Sequence, residues 1–489
     1  MELLNKVQLI TYPDSLGGDI GMLARVLDED LAGLFPGGVH VLPPFPSSGD
    51  RGFAPLTYDE IDPRFGSWQD MRRVGERAPV MLDLMVNHLS ARSAQFRDYL
   101  ARGAVSPWAD LFVTLDKVWP EGQPDPADLD RIFLRRERPW STYPVGAPPV
   151  PTRVWTTFGR TDPSEQVDMD RRSPRFRELI EGYFARFEAN GVQMVRLDAV
   201  GYLAKRAGTS CFMVQPDTDE LLAWLEGLAA RHGITLLPEV HARPDVAAPL
   251  SARGSWTYDF VLPYRVLEAL ILRRPERLAA HLADRPSRLF TMLDCHDGIP
   301  LKPDLDGLYE PADARAVVEA CLSRGGNVSR VVAREHQDPD GFDVHQIRGA
   351  LYSLVGRDDD ALVAARAIQL FAPGIPQVYY VGLLAGENDQ AAAQRAGDGR
   401  AINRHDFTRD EILAARSRSV VQRTERLIRL RNAHPAFDGQ FEAALTEAGD
   451  IRLAWRAGAD AISLDVDVRA PCALVELTDA DGRREQLAL

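Results

Sequence analysis

Short apolar runs rich in β-branched residues recur along the chain, each closed by polar residues or by Gly and Pro. Eight stand out: Lys6–Thr11, Gly38–Pro43, Pro79–Asn87, Gln193–Asp198, Ile234–Glu239, Tyr258–Leu262, Leu289–Asp294 and Gln377–Val381. Continuous apolar runs of this length suit strands buried on both faces, as in a parallel sheet. Amphipathic helices are expected between several of them. The clearest opens at Ser173-Pro174, a cap followed by a first-turn proline. It places Phe176, Leu179, Ile180, Tyr183, Phe184 and Phe187 at helical spacing and stops at Asn190-Gly191. Eight strands alternating with helices predict an α/β fold, a (β/α)8 TIM barrel.

Two connections are too long for ordinary loops of such a barrel and read as insertions. The expected layout is a barrel from residues 1–87, 168–297 and 357–433, with inserted domains over 88–167 and 298–356. From residue 434 to 489 the pattern becomes alternating, as in Ile451-Arg-Leu-Ala-Trp and Ala461-Ile-Ser-Leu-Asp-Val. That predicts a small C-terminal antiparallel β domain.

Charge narrows the function classes. The 489 residues carry 57 Lys+Arg against 71 Asp+Glu, a formal net charge of −14. A general nucleic-acid or anionic-membrane binder needs the opposite balance, so neither partner is expected. Met1-Glu-Leu-Leu-Asn-Lys lacks a basic start followed by an apolar run, and no stretch approaches a membrane-spanning length. Cys211, Cys295, Cys321 and Cys472 form no CxxC pair and no disulfide framework. The expectation is a cytoplasmic protein, monomer or homodimer.

In such a barrel, chemistry sits at the C-terminal strand ends. There the sequence puts Asn87-His88, Arg196-Leu197-Asp198, Glu239, and His296-Asp297. Three carboxylates from three strands converge on one rim, which fits glycoside chemistry. One carboxylate attacks the anomeric carbon while another protonates the leaving oxygen. Like charges held close raise one pKa and keep the general acid protonated near neutrality. Arg196, two residues before Asp198 on a strand, shares its face and would keep that carboxylate ionised as a nucleophile.

Asp294, His296 and Asp297 could be read as metal ligands, but mixed donors on one strand end fit sugar binding better. No metal or other cofactor is expected. Gly17-Gly-Asp-Ile-Gly21 is a lone glycine turn, not a dinucleotide fingerprint.

With these residues the chain resembles the α-amylase-like glycoside hydrolase family, and within it the sucrose phosphorylase group. The matching segments span almost the whole chain: Gly52-Phe53, Asp83-Leu-Met-Val-Asn-His88, Val195-Arg-Leu-Asp-Ala-Val-Gly-Tyr202, Ala207-Gly-Thr-Ser-Cys-Phe212, Glu239-Val-His241 and Leu293-Asp-Cys-His-Asp-Gly298. The run from Pro373 to Gly386 and Ile402-Asn-Arg-His405 complete the set.

By resemblance, Asp198 is the nucleophile, Glu239 the general acid/base and Asp297 the transition-state stabiliser. Asp50, His88, Arg196, His296 and Arg404 would hold the glucosyl unit, with Arg404 paired to Asp50 and with Phe53 and Phe158 as walls. Gln166, Tyr202 and Gln346 would be further contacts. The implied reaction is a double displacement through a β-glucosyl enzyme that phosphate, not water, resolves to α-glucose 1-phosphate.

The insertions bear on the acceptor. The first carries Arg131-Ile-Phe-Leu-Arg135-Arg136-Glu137-Arg138, the second Arg334-Glu-His336 and Asp343-Val344-His345-Gln346. The resemblance makes Arg136 a phosphate-binding arginine and brings the backbone near Val344 to phosphate. Two positions depart from the group's pattern: Arg135 replaces a usual Pro, and His345 a usual Tyr. Arg and His suit a phosphorylated fructosyl group. This combination resembles the branch acting on sucrose 6-phosphate, whose partners would be phosphate, glucose 1-phosphate and fructose 6-phosphate. Unphosphorylated sucrose stays open as substrate. So do the glucosylglycerate and glucosylglycerol phosphorylase branches, since an acidic acceptor such as glycerate would equally welcome Arg135. A non-catalytic barrel subunit would have lost these acids, and a plain hydrolase or transglucosidase would turn over without phosphate.

Overall fold

The computed structural model describes residues 3–241, 243–286, 288–332, 341–478 and 483–488, without the side chains of Ala247 and Ala488. Arg334 and His336 lie outside the described residues.

Eight parallel strands form the central sheet: β1 (Gln8–Thr11), β2 (Gly38–Val41), β3 (Val80–Met85), β4 (Val192–Asp198), β5 (Thr235–Pro238), β6 (Thr257–Asp259), β7 (Leu289–Thr291) and β8 (Ile375–Tyr379). Their order is β6-β7-β8-β1-β2-β3-β4-β5, and the end strands β5 and β6 approach each other, so the barrel is nearly closed. β1, β2, β3 and β8 are buried along their whole length, as their uninterrupted apolar character requires.

Each apolar run overlaps its strand, but β4, β6 and β8 begin one or two residues before theirs, and two runs cross an element boundary. In Tyr258–Leu262, Asp259 Oδ1 accepts from the N–H groups of Val261 and Leu262 and turns the chain into the helix Leu262–Leu272. Gln377–Val381 likewise ends in the helical turn Tyr380–Leu383.

The helix Pro174–Ala189 has the predicted bounds. Ser173 caps it by accepting from the Arg175 N–H, and Gly191 leaves it at a φ of 74° that favours glycine. Phe176, Ile180, Tyr183, Phe184 and Phe187 are buried against the sheet.

The first insertion pairs His88–Ser90 with Gln166–Asp168 and Trp140–Val145 with Val150–Trp155, both antiparallel. The second folds Ile299–Pro300, Val344–Arg348 and Asn327–Arg330 into one small antiparallel sheet. At the C-terminus a five-stranded antiparallel sheet spans Gln440–Leu445 to Arg484–Ala488. Ile451, Leu453 and Trp455 face inward, and Trp455 Nε1 donates to the Phe371 carbonyl at 2.7 Å, docking the sheet on the barrel. No helix among the described residues is long and apolar enough to cross a membrane.

Candidate active site

β4 delivers Arg196 and Asp198 to the rim two residues apart, and so to one face. Arg196 Nη1 lies 3.1 Å from Asp198 Oδ1, and Nη2 lies 2.6 Å from Glu239 Oε1 just past β5. Nη1 also pairs with Asp83 of β3, whose other oxygen is 2.8 Å from His40 Nε2 of β2. One buried guanidinium thus gathers carboxylates from three neighbouring strands. Ala199, directly after Asp198, sits at a φ of 54°, a strained region for a residue with a Cβ. The turn aims its N–H at Glu239 Oε2, 3.1 Å away.

Past β7, His296 Nε2 is 3.2 Å from Asp297 Oδ2, and its ring stacks on Phe53 with centroids 4.8 Å apart. His88, past β3, donates from Nε2 to the Phe53 carbonyl at 2.9 Å, and its ring lies tilted against Phe158 with centroids 5.5 Å apart. The pocket between these groups brings together Asp50, Phe53, His88, Phe158, Gln166, Asp198, Tyr202, Glu239, His296 and Asp297. Arg135, His345 and Gln346 line it from the insertions. Gln166 Oε1, His296 Nδ1 and His345 Nε2 are buried in this wall with no hydrogen-bond partner. A polyhydroxylated ligand would satisfy such atoms, whose burial unpaired costs about 1–3 kcal/mol each.

Four expected contacts do not line this pocket, and the first is Arg196, whose guanidinium is taken by Asp83, Asp198 and Glu239. Arg404 does not pair with Asp50; its Nε and Nη2 donate to the His296 carbonyl at 2.9 and 2.8 Å, behind the pocket. The tight turn Gly399–Asn403 instead carries Arg400 into the pocket, where it pairs with Asp50 and lies 3.1 Å from Asp297 Oδ1. Arg136 turns away from its neighbour Arg135 and spends its guanidinium on Thr156 Oγ1 at 2.9 Å and the Thr161 carbonyl at 2.8 Å. Val344 is buried in the insertion's sheet, its carbonyl taken by the Lys302 N–H, and does not line the pocket.

Arg160, His241 and Arg348 also line the pocket without having been singled out. His241 had a signal: it follows Glu239 at the spacing that links Arg196 to Asp198. Arg160 and Arg348 had none, since both lie in insertions without periodicity to orient them.

The charges are strongly unequal. Burial alone would raise Glu239, but Arg196 and His241 outweigh it and hold the carboxyl down at about 2. Asp198 is pushed well above the usual carboxylate range by burial and by the adjacent Glu239 charge. The two titrate as a pair, and burial beside the Glu239 charge favours the protonated form of Asp198. The sequence predicts that Arg196 keeps Asp198 ionised; burial and the neighbouring Glu239 charge work against that. Arg196 gives its shorter contact to Glu239. Asp297 lies well below its usual range despite burial, because His296, Arg400 and Arg404 surround it. His296 itself is neutral: burial takes it down to about 4.

His241 is the opposite case. Burial opposes its charge, yet Nδ1 faces Asp304 Oδ2 and Nε2 faces Glu239 Oε1, both at 3.1 Å, and raise it to about 10.

Glu239, His241 and Asp297 present ligand atoms within 4.8 Å of one another. A metal there would have to displace the guanidinium from Glu239 and a proton from His241, so ion pairing fits these residues better. Asp294, a ligand candidate with His296 and Asp297 in the sequence, is bound 2.7 Å from Arg366 Nη2 and lies outside the pocket wall. Nearby, the Lys205 ammonium sits among Asp168 Oδ2 at 2.7 Å, Asn87 Oδ1 at 2.8 Å and the Tyr202 carbonyl. It fills an oxygen cluster that would otherwise suit a cation, and ties the first insertion to the barrel.

A family model described as the catalytic domain of α-amylase matches residues 14–254. Over 482 residues the chain is 50% identical to a sucrose 6(F)-phosphate phosphorylase of Thermoanaerobacterium thermosaccharolyticum, covering 99% of each chain. A sucrose phosphorylase of Agrobacterium vitis is 40% identical over 464 residues, 92% of each chain. The crystal structure of sucrose 6F-phosphate phosphorylase from Thermoanaerobacter thermosaccharolyticum matches with a TM-score of 0.97 at 49% identity, over 100% of this chain and 99% of that one. With the barrel, the rim carboxylates and full-length relatives in hand, the chain belongs to the α-amylase family as an enzyme of the phosphorylase type.

Proposed function

We propose that the pocket converts sucrose 6-phosphate, with its phosphate on the fructosyl group, and inorganic phosphate into α-glucose 1-phosphate and fructose 6-phosphate. The observation that carries this reading is that Arg135 and His345 line the same pocket as Asp198, Glu239 and Asp297. A guanidinium beside an imidazole is a fitting receptor for a phosphate ester.

The chemistry follows from the charges. Asp198 attacks the anomeric carbon as Glu239 protonates the fructosyl oxygen, giving a covalent β-glucosyl enzyme. For this, the proton shared by the pair must pass from Asp198 to Glu239. The 2.6 Å Arg196–Glu239 contact is the one that has to loosen for that transfer. Asp297, kept ionised by Arg400, faces the positive charge that develops on the sugar. Asp50, also held by Arg400, and His88, Gln166 and His296 supply hydrogen bonds to the glucosyl hydroxyls.

After fructose 6-phosphate leaves, Arg135 and the charged His241 face the incoming inorganic phosphate. They position a dilute anion ahead of water, and Glu239 takes its proton. Inversion at each step gives net retention. With a sugar phosphate as substrate and two as products, the reaction belongs in the cytoplasm.

The test is phosphate-dependent release of glucose 1-phosphate from sucrose 6-phosphate, sucrose and glucosylglycerate side by side. The highest kcat/KM is expected for sucrose 6-phosphate. Preference for sucrose or glucosylglycerate would move the acceptor assignment to that substrate, and release of free glucose without phosphate would replace the phosphorylase reading by hydrolysis.

A further inference from the structure

The two histidines on the acceptor side of the pocket differ in charge, and the difference is built by their neighbours. Both nitrogens of His241 face carboxylates, so its ring carries two protons. His345, on the strand Val344–Arg348, has Nδ1 2.6 Å from the Lys302 carbonyl. A carbonyl only accepts, so Nδ1 carries the hydrogen and the tautomer is fixed. Nε2 is then a bare acceptor in a neutral ring, and it is the buried atom left without a partner.

The groups around the ring keep it neutral. Burial acts first, then the Arg135 guanidinium from the first insertion, against the Asp304 carboxylate; together they bring it down to about 3. His241, past β5, adds a second cation. The Lys302 ammonium is 3.1 Å from Asp306. Tyr202, which lines the same pocket, is an un-ionised phenol whose pKa burial raises.

A phosphate ester is mostly dianionic above its second pKa of about 6, and every peripheral oxygen then only accepts. An acceptor nitrogen cannot bind such a group. The contact needs a proton, taken by Nε2 or retained on a phosphate oxygen, and either way the complex holds one proton more than its separated parts. Resting on the reading that the fructosyl phosphate lies against Arg135 and His345, we propose that binding of the phosphorylated fructosyl group is coupled to uptake of one proton from solvent, shared between His345 Nε2 and a phosphate oxygen. The proton joins the imidazole lone pair, and no other bond changes. His345 thereby selects the protonated form of the contact, where Arg135 alone would favour the dianion.

The sign separates these two cases. Calorimetric titration of the enzyme with fructose 6-phosphate, in buffers of different ionisation enthalpy, counts the protons exchanged. Uptake of about one proton is expected near pH 8, falling toward zero near pH 5 where the ester already carries it, and Kd should rise about tenfold per pH unit on the alkaline side. In His345→Gln the amide N–H can donate to the dianion directly, so binding should persist and the uptake disappear. Binding of fructose 6-phosphate with no uptake near pH 8, or uptake that survives His345→Gln, overturns the inference and leaves the acceptor reading standing. Failure of fructose 6-phosphate to bind where fructose does would bring down that reading and the inference with it.

Discussion

At the scale of single residues the site is a problem of where one proton sits. Arg196 touches both Asp198 and Glu239, so neither carboxylate can be assigned its state alone. Two variants separate their roles. Asp198→Ala removes the atom that would bond to glucose, and phosphorolysis should fall by about 10⁴-fold or more. Substantial residual turnover would remove it as the nucleophile. Glu239→Gln should be nearly as damaging with sucrose 6-phosphate, yet glucosyl fluoride should still glucosylate the enzyme, because fluoride leaves with little protonation. If fluoride fails equally, Glu239 has another job. On the acceptor side, the pair Arg135→Pro and His345→Tyr removes a charge-assisted grip worth about 1.5–3 kcal/mol. The ratio of kcat/KM for sucrose 6-phosphate over sucrose should drop about 10- to 100-fold, and an unchanged ratio would refute the acceptor assignment.

At the scale of elements, what the sequence made legible is what periodicity or local chemistry governs. The helix after Ser173 could be read at both ends because a cap, a first-turn proline and a glycine in left-handed backbone mark it. The rim acids could be placed because each ends an apolar run. Direction within irregular segments could not be read. Arg135 and Arg136 are neighbours pointing apart, and Arg400, inside the turn Gly399–Asn403, and Arg404, just after it, reach different partners. Only packed neighbours decide such cases. Lys205 belongs here as well: a sequence gives no sign that its ammonium will meet Asn87 and Asp168 from the far side of β4. Both Lys205 and Asp168 are almost fully buried, so Lys205→Met strands a carboxylate and should cost about 3–5 kcal/mol in denaturant unfolding. Adding Asp168→Asn should recover much of that loss. A single variant as stable as the parent would show that the ammonium is not what holds the insertion down.

At the scale of the whole molecule, the titrations that shape the pocket also shape stability. His241 is protonated up to about 10 in the folded protein but only up to about 6.5 in an unfolded chain. Between those values the folded state binds more protons, so stability falls as pH rises through that window; the contribution is complete below about 6.5. His296 and His345 act in the reverse sense. Held neutral down to about 4 and about 3, they leave protons to the unfolded chain, and stability falls as pH drops below about 6.5. Asp398, drawn down to about 2 by Arg400 and Arg160 against its burial, adds to the acid limb once pH falls through the carboxylate range. The histidines thus set an alkaline and an acid limb of separate origin on either side of about 6.5, and Asp198, raised by burial and the Glu239 charge, adds a further loss as pH rises above the carboxylate range. Asp304→Asn tests that separation, because it removes the carboxylate that charges His241 from Nδ1 and leaves His296 untouched. Unfolding free energies measured across pH should then show a shallower alkaline limb, while the acid limb keeps its slope between about 6.5 and about 4, where His296 and His345 stay neutral with or without Asp304. An alkaline limb as steep as the parent's would mean that the imidazolium beside Glu239 is not what the folded state protects, and the cation assigned to the acceptor side would have to come from Arg135 alone.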